Sequence, residues 1–424
     1  MYKKMYNVVT IGGPETDLGT AVARTDRLPI TDMVDVKQTA AKNPSEVLTG
    51  RGTKRGNYID SIESMMDIPM ELQAIKATGL LLVSCLGDDL ATPQQVGGAL
   101  ILSYTGAEAS AKVVVSSTTI TISTGDLGSE AVDAAFGTTG VYTLAALGTD
   151  VAAIEGFTGY TCEKVFGVDA LTTESVGYVI TSAQAAGNSV IVYFTSADSG
   201  IYLHRSSPVL TNTERPTMTL QSDGTGLTND VQAGSVIDSL EISADLKGRA
   251  TIKATVPGTA ITTDTASVVE LVNKKPLKFA NSSFFLAGTD QTFVKSVSLS
   301  FGNSHDGDEG FGAGSLYKQD HAKGDFVVTG SLSVRSVAST EVEYAKRISE
   351  VTSSLSVIFQ GDDLATDIPE MIALSVPYID IMSATKSASG VSLDSELTIE
   401  AIDPQSYSNI LTVDMLTTDS AKYN

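Results

Sequence analysis

The clearest pattern along the chain is an alternation of period two. Leu393, Ser395, Leu397, Ile399 and Ala401 fall on one side, and Asp394, Glu396, Thr398, Glu400 and Ile402 on the other. Val327 to Val334 alternates in the same way. Successive side chains of a strand point to opposite faces, so both segments predict half-buried antiparallel strands. Short β-branched runs at Leu100 to Tyr104, Lys112 to Ser116, Thr118 to Ser123, Ser175 to Ile180 and Ser189 to Phe194 predict more.

Three segments carry a helical period instead. Pro69 opens the first, Leu72, Ile75, Leu80, Val83 and Leu86 recur along it, and Gly87 closes it. The second runs from about Thr143 to Ile154, with Leu144, Leu147, Val151 and Ile154 on one face before Gly156. The third runs from about Thr340 to Glu350. Ser339 is its expected N-cap, Glu341 and Glu343 lie in its first turn, and Val342, Ala345, Ile348 and Val351 form its expected buried face.

These elements divide the chain. Residues 1 to about 60 are polar and rich in turn formers, with one clear strand at Tyr6 to Ile11 before Gly12, Gly13 and Pro14. They read as an extended arm. Residues 61–96 and 206–424 read as one discontinuous β domain. Residues 97–205, where the periodicity restarts, read as an inserted α+β domain that Pro208, Asn212 and Pro216 lead out of. Two echoes recur: the pattern of Ile237 to Ser243 returns at Val294 to Ser300, as two similar hairpins or two edges of one barrel would require. Gly87 to Thr92 is repeated at Gly361 to Thr366, either as a common loop or as a partial duplication. The fold class expected is mainly β, a sandwich or barrel with a packed helix, plus the small α+β insert.

Charge narrows the function. Against 28 Lys and Arg stand 50 Asp and Glu, a formal charge of -22. A surface built to grip phosphates needs clustered bases, so tight nucleic-acid binding is excluded. No run of about 20 apolar residues exists to cross a membrane, and Met1 to Met5 has charges with no apolar stretch behind them, which reads as a soluble chain without a secretory signal. Cys85 and Cys162 are too few for a disulfide framework and are expected reduced and buried. His204, His305 and His321 are the only histidines, with no nucleophile elbow, phosphate-binding loop or zinc motif beside them. No catalytic residue, cofactor or metal site is assigned.

Gly13 to Ala21, with Leu28 and Pro29 after it, is similar to the Glu-x-x-x-Gly-Thr-Ala opening of the major tail tube proteins of long-tailed bacteriophages. Pro208 to Thr211, Gly330 to Val334 ahead of the third helix, and Leu374 to Pro377 resemble later segments of that family in the same order. The resemblance covers roughly residues 10–90 and 205–424. Leu102 to Ala107, Val141 to Leu147 and Gly159-Tyr160 look like a small module inserted into various phage virion proteins, which in such families projects outward.

The resemblance implies a non-enzymatic virion protein that forms stacked hexameric rings around passing DNA. The partners implied are other copies of the chain, a tail-tip initiator, tape-measure and terminator proteins, and a sheath where the tail contracts. An acidic lumen would let DNA slide, since DNA carries about one negative charge per 1.7 Å.

Candidate inter-subunit residues are the basic Arg51, Lys54 and Arg55 and the acidic Asp362 and Asp363, with Lys274, Lys275, Lys278 and Asp367 beside them in the argument. Asp306, Asp308 and Glu309 follow His305 in a glycine-rich stretch that lacks the spaced ligands of a calcium loop. That stretch reads as a solvated, mobile loop ordering on a neighbouring ring. The alternative from another class is a capsid decoration or tail-tip adhesin whose insert binds host glycans.

Overall fold

The computed structural model describes residues 7–34, 36–44, 57–87, 93–104, 111–115, 120–124, 128–132, 142–143, 160–167, 170–171, 182–184, 188–195, 199–209, 215–224, 229–272, 274–305, 310–321, 324–349, 351–389, 392–403 and 409–423. The chain is mostly strand, as the alternation predicts. The helix expected at Thr143 to Ile154 and the strand at Ser175 to Ile180 lie outside the described residues, apart from Thr143.

In chain order the strands are β1 (Asn7–Gly12), β2 (Asp26–Arg27), β3 (Val36–Pro44), β4 (Asn57–Glu71), β5 (Gln94–Tyr104), β6 (Ala111–Val115), β7 (Ile120–Thr124), β8 (Gly128–Val132), β9 (Tyr142–Thr143), β10 (Tyr160–Gly167), β11 (Ala170–Leu171), β12 (Ser182–Gln184) and β13 (Asn188–Thr195). They continue as β14 (Tyr202–Ser206), β15 (Met218–Gly224), β16 (Asn229–Ser235), β17 (Ser239–Asp245), β18 (Thr251–Gly258), β19 (Ala260–Thr263), β20 (Ser282–Leu286), β21 (Thr289–Asp290), β22 (Val294–Gly302), β23 (Val327–Arg335), β24 (Ser353–Ala365), β25 (Ile368–Ser389), β26 (Ser392–Ala401) and β27 (Thr412–Thr417).

One large antiparallel sheet runs β10-β5-β14-β27-β25-β26-β23-β22-β17-β18-β4-β3, with β13, β20, β21 and β24 branching from it. A five-stranded sheet, β19-β16-β15-β1-β2, packs with it. Val9, Ile11, Met218 and Leu220 of the smaller sheet and Leu240, Ile242, Leu299 and Ile399 of the larger share one continuous core. The two echoing segments become β17 and β22, which pair with each other from Ser239 opposite Gly302 to Asp245 opposite Ser296. Each also pairs with its own hairpin partner, β18 and β23. The two copies of the Gly87 to Thr92 sequence begin differently, one at the end of a helix and the other within β24.

The first helix is shorter than its spacing predicts. It runs Lys76–Leu86, because Pro69 to Glu71 stay in β4. Pro is tolerated there since β3 stops pairing at Met66, and the Pro69 carbonyl accepts from Thr31 N at 2.9 Å on the side away from β18. The helix is apolar on every side and almost wholly buried, as such a helix must be. It ends on Gly87 at φ 98°, whose N–H reaches Val83 O at 2.7 Å. The buried Arg215 guanidinium donates to the Leu86 carbonyl, to Val209 O at 2.9 Å and to Asn303 Oδ1 at 3.3 Å, placing a cation at the negative end of the helix. Cys85 is fully buried and free, and burial pushes its thiol up to about 12.

The second helix, Ala338–Lys346, starts two residues before its predicted start. Val337 is the N-cap, and Thr340 Oγ1 accepts its N–H at 2.8 Å; Ser339 points to Gln291 instead. The helix is also rotated from expectation. Tyr344 packs on the core and Thr340 and Glu343 are buried, while Val342, Ile348 and Val351 are 62%, 82% and 57% exposed.

The opening motif is a fastening. Glu15 accepts from Gly19 N at 3.0 Å, Thr217 Oγ1 at 3.0 Å, Thr219 Oγ1 at 2.6 Å and Gly234 N at 3.0 Å. This ties the segment after β1 to β15 and β16. The sequence reads one strand before residue 60; the structure adds β3, paired with β4 from Val36 opposite Met66 to Pro44 opposite Asn57.

Candidate assembly surface

Cross-strand registers line up one face of the large sheet in unbroken rows. Asp380, Glu400, Thr329, Ser300, Glu241 and Lys253 stand side by side across β25, β26, β23, β22, β17 and β18. The next row is Ser383, Thr398, Ser331, Ser298, Ser243 and Thr251. A third holds Thr385, Glu396, Ser333, Ser296 and Asp245. None of these side chains is buried. In these rows Asp380, Glu400, Glu241, Glu396 and Asp245 face Lys253 as the one base, so the surface is small, hydroxylated and acidic.

The opposite face is its complement. Ile381, Ile399, Leu299, Ile242, Ile252 and Met70 form a buried row with Gly330 at its middle. A Cβ at Gly330 would come within 2.6 Å of Ser298 O and 2.7 Å of Leu299 Cδ2, so the close strand packing needs glycine there. The predicted alternation of β26 holds from Ser395 onward. At its start Leu393 is exposed, and Asp394 is buried in an ion pair with Lys295.

Among the described residues the sheet leaves two edges open. β3 has a neighbour on one side only. Beyond Ser64 the β3–β4 hairpin runs past β18 and exposes Tyr58 and Ile59. Within the sheet, residues 383–389 of β25 pair with β26 along one edge, while β24 pairs with β25 only up to Ile379 and β27 only up to Ser375, so the late part of β25 has a second open edge among the described residues. Unpaired edges of this length are templates for pairing with another chain.

The predicted contact residues are placed unevenly. Arg51, Lys54 and Arg55 lie outside the described residues, between the ends of β3 and β4. Asp306, Asp308 and Glu309 also lie outside them. Asp362 is exposed and pairs with the exposed Lys275 of the same chain at 2.7 Å, and Lys274 reaches Glu370 at 3.2 Å. Asp363 and Asp367, with Val165, Phe166, Gln360 and Pro369, line an open cavity of about 540 Å³ where β10 meets the β24–β25 turn.

The described part of the long loop is anchored. His305 donates through Nδ1 to Asp238 Oδ1 at 3.2 Å and its backbone N–H to the same oxygen at 2.9 Å, holding the Asp238 carboxyl below the usual range. His321 Nε2 donates to Gly234 O at 2.7 Å, leaving Nδ1 buried without a partner among the described residues. Burial pushes His321 down to about 4. Between these anchors Gln319 N bonds Gly310 O at 2.8 Å, and Leu316 O accepts from Ile62 N of β4 at 2.8 Å. A glycine-rich composition suggested mobility; the two histidines and the buried Lys318 hold the segment down.

The base formed by β13, β14 and β27 is equally fixed. Arg205 holds Asp414 through two bonds, at 2.5 and 2.6 Å, and Tyr193 OH donates to the same carboxylate at 2.9 Å. Val96, Ile101, Phe166 and Ile191 join Ile358, Met371 and Leu416 of the main body in a second core. Sequence reasoning missed this anchor, since Tyr193, Arg205 and Asp414 come from three distant segments.

Among the described residues no group of acidic, histidine or cysteine side chains is arranged to hold a metal, and no helix is long and apolar enough to cross a membrane. A broad sheet with one apolar face, one hydroxylated acidic face and two open edges defines a structural building block. A family model for phage tail tube proteins matches residues 7–399, and the chain belongs to that family. No curated protein matches it. The family assigns it to the virion tail as a structural protein, assembled in the host cell.

Proposed function

We propose that copies of this chain join side by side through the open edges of the large sheet into closed hexameric rings, which stack into a hollow conduit for DNA. The observation that carries this reading is the combination of an acidic, hydroxylated sheet face with two unpaired strand edges, β3 and residues 383–389 of β25, in the same sheet. Edge-to-edge joining turns the aggregation hazard of β3 and of residues 383–389 into the assembly contact. Contacts of this obligate kind bury on the order of 2,000 Å² or more. The polar face then lines the bore, where like charge keeps DNA from sticking and serine and threonine leave no deep features.

In this reading the insert, entered along β5 and left along β14, faces outward. The β3–β4 hairpin reaches toward the next ring, bringing Arg51, Lys54 and Arg55 to acidic residues such as Asp362 and Asp363 and to the Asp306, Asp308 and Glu309 stretch. Rings meet through heterologous contacts that do not close, which gives a filament. Self-repulsion of an acidic subunit makes growth wait for a tail-tip initiator, with tape-measure and terminator proteins setting length and a sheath outside where the tail contracts.

Negative-stain images of the purified chain test the reading. Uniform hollow filaments are expected, and discrete particles would favour a decoration or adhesin role. Tubes of normal length from a Lys54→Glu, Arg55→Glu variant would reject the ring-to-ring role of the basic residues.

A further inference from the structure

Two apolar surfaces of the chain are left in water by its own fold. Between the end of β19 and Leu277, residues 264–272 and 274–276 cross the surface without entering a helix or strand. Val268 is 96% exposed, and Leu271 and Val272 are exposed beside it. Among the described residues, the backbone N–H groups of Val268 to Val272 donate to no carbonyl. The segment is held only near its ends. Arg24 pairs with Asp264 and Ser267 N donates to Asp223 Oδ2 at 3.0 Å, while Lys274 bonds Ala74 O at 2.9 Å and pairs with Glu370. A β-branched, apolar run whose N–H groups are left to water is a strap presented for a partner.

The second surface is the outward side of the helix Ala338–Lys346 and the turn after it, where Val342, Ile348 and Val351 are exposed. The two surfaces lie toward opposite ends of β25. The strap is tied to Glu370 near its start, and the helix is tied near its end by Lys386, which pairs with Glu341 at 2.5 Å and lies 4.2 Å from the Tyr344 ring centre. Sixteen residues of extended strand separate them, roughly 50 Å of chain before any bend. Surfaces so far apart on one subunit meet in a head-to-tail contact between subunits.

Their charges are complementary. Glu270, exposed between Val268 and Leu271, is in no ion pair among the described residues. Arg347, between Val342 and Ile348, stacks on Tyr344 with its guanidinium 3.9 Å from the ring centre and is in no ion pair among the described residues either. Each surface is thus apolar with one charge set inside it, negative on the strap and positive on the helix.

We infer that the 264–276 strap of one copy seats on the Val342, Ile348 and Val351 face of a second copy, with Glu270 against Arg347. This rests on the tube reading above, since it names one of the contacts between copies. Seating covers the six exposed apolar side chains of these two surfaces and gives the strap's N–H groups access to partner carbonyls.

The test is a charge exchange followed by cross-linking in the full chain. Glu270→Arg and Arg347→Glu singly are expected to slow filament growth by light scattering about tenfold, and the double exchange to restore it. Mixing a Val268→Cys chain with an Ile348→Cys chain under oxidation should give dimers absent from either alone, with the wild-type chain as control for Cys85 and Cys162. Filaments that grow at the normal rate with either single exchange, or that form without mixed cross-links, would overturn the inference and leave the tube reading standing. A wild-type chain that forms no filaments would overturn both.

Discussion

The base formed by β13, β14 and β27 and the strap between β19 and Leu277 are attached to the same body in opposite ways. At the base, Asp414 is 2% exposed and is held by side chains from distant parts of the sequence, Arg205 in two bonds and Tyr193 in one. In the strap, the apolar side chains stand in water and only the ends are held, by polar contacts. Buried charge is tolerated only when fully paired, so the base has one geometry. Apolar surface left in water costs stability, so the strap keeps it only where a partner covers it. The difference separates what holds the subunit together from what it offers to its neighbours.

Breaking the base should have the largest effect. Asp414→Ala leaves Arg205 buried without its carboxylate, and chemical denaturation should show a loss of about 3–5 kcal/mol. A loss below about 1 kcal/mol would mean that the base is less closed than its bonds suggest.

The loop anchored by His321 is intermediate. Unfolded His321 binds a proton below about its ordinary 6.5, whereas the folded side chain does so only below about 4. Its contribution is therefore complete above 6.5 and lost as pH falls toward 4, by up to about 3 kcal/mol. His305, Asp238, Lys318 and Asp320 surround the ring, with Lys318 and His305 opposing protonation and Asp320 favouring it. His321→Gln, which keeps a donor for Gly234 O, should flatten stability between pH 6.5 and pH 4. An unchanged slope would place the pH dependence elsewhere.

Glu15→Ala removes the acceptor of four bonds at a half-exposed site, and a loss of about 1–3 kcal/mol is expected in the same assay. Val268→Ser should do least to the subunit, within about 0.5 kcal/mol, because the side chain touches little of its own chain. That variant sharpens the contrast if the subunit melts normally while filaments grow slowly.

What the sequence revealed follows the same division. β23 and β26 were legible because one face is buried and the other wet, which writes period two into the residues. β3 and the outer half of β4 were not, because neither has a buried face to impose an alternation on its residues. Val342, Ile348 and Val351 misled for the opposite reason. Their spacing is that of a buried helix face, but Thr340 and Tyr344 take the inward positions. Pro69 suggested a helix start, since a strand edge that tolerates proline cannot be seen without its neighbours. Among the predicted contact residues, Asp362 was identifiable as an exposed acid, yet its pairing with Lys275 needed the β24–β25 turn to bring them together.

The central claim is that the hydroxylated, acidic face of the large sheet lines the bore and that its open edges join neighbouring subunits. Electron cryomicroscopy of filaments grown from the purified chain measures both at once. The expected map has Glu400, Thr329, Ser300 and Glu241 facing the axis, with β3 of one copy beside residues 383–389 of the next. A bore lined by lysine and arginine, or a ring whose subunits meet with both edges still free, would contradict it.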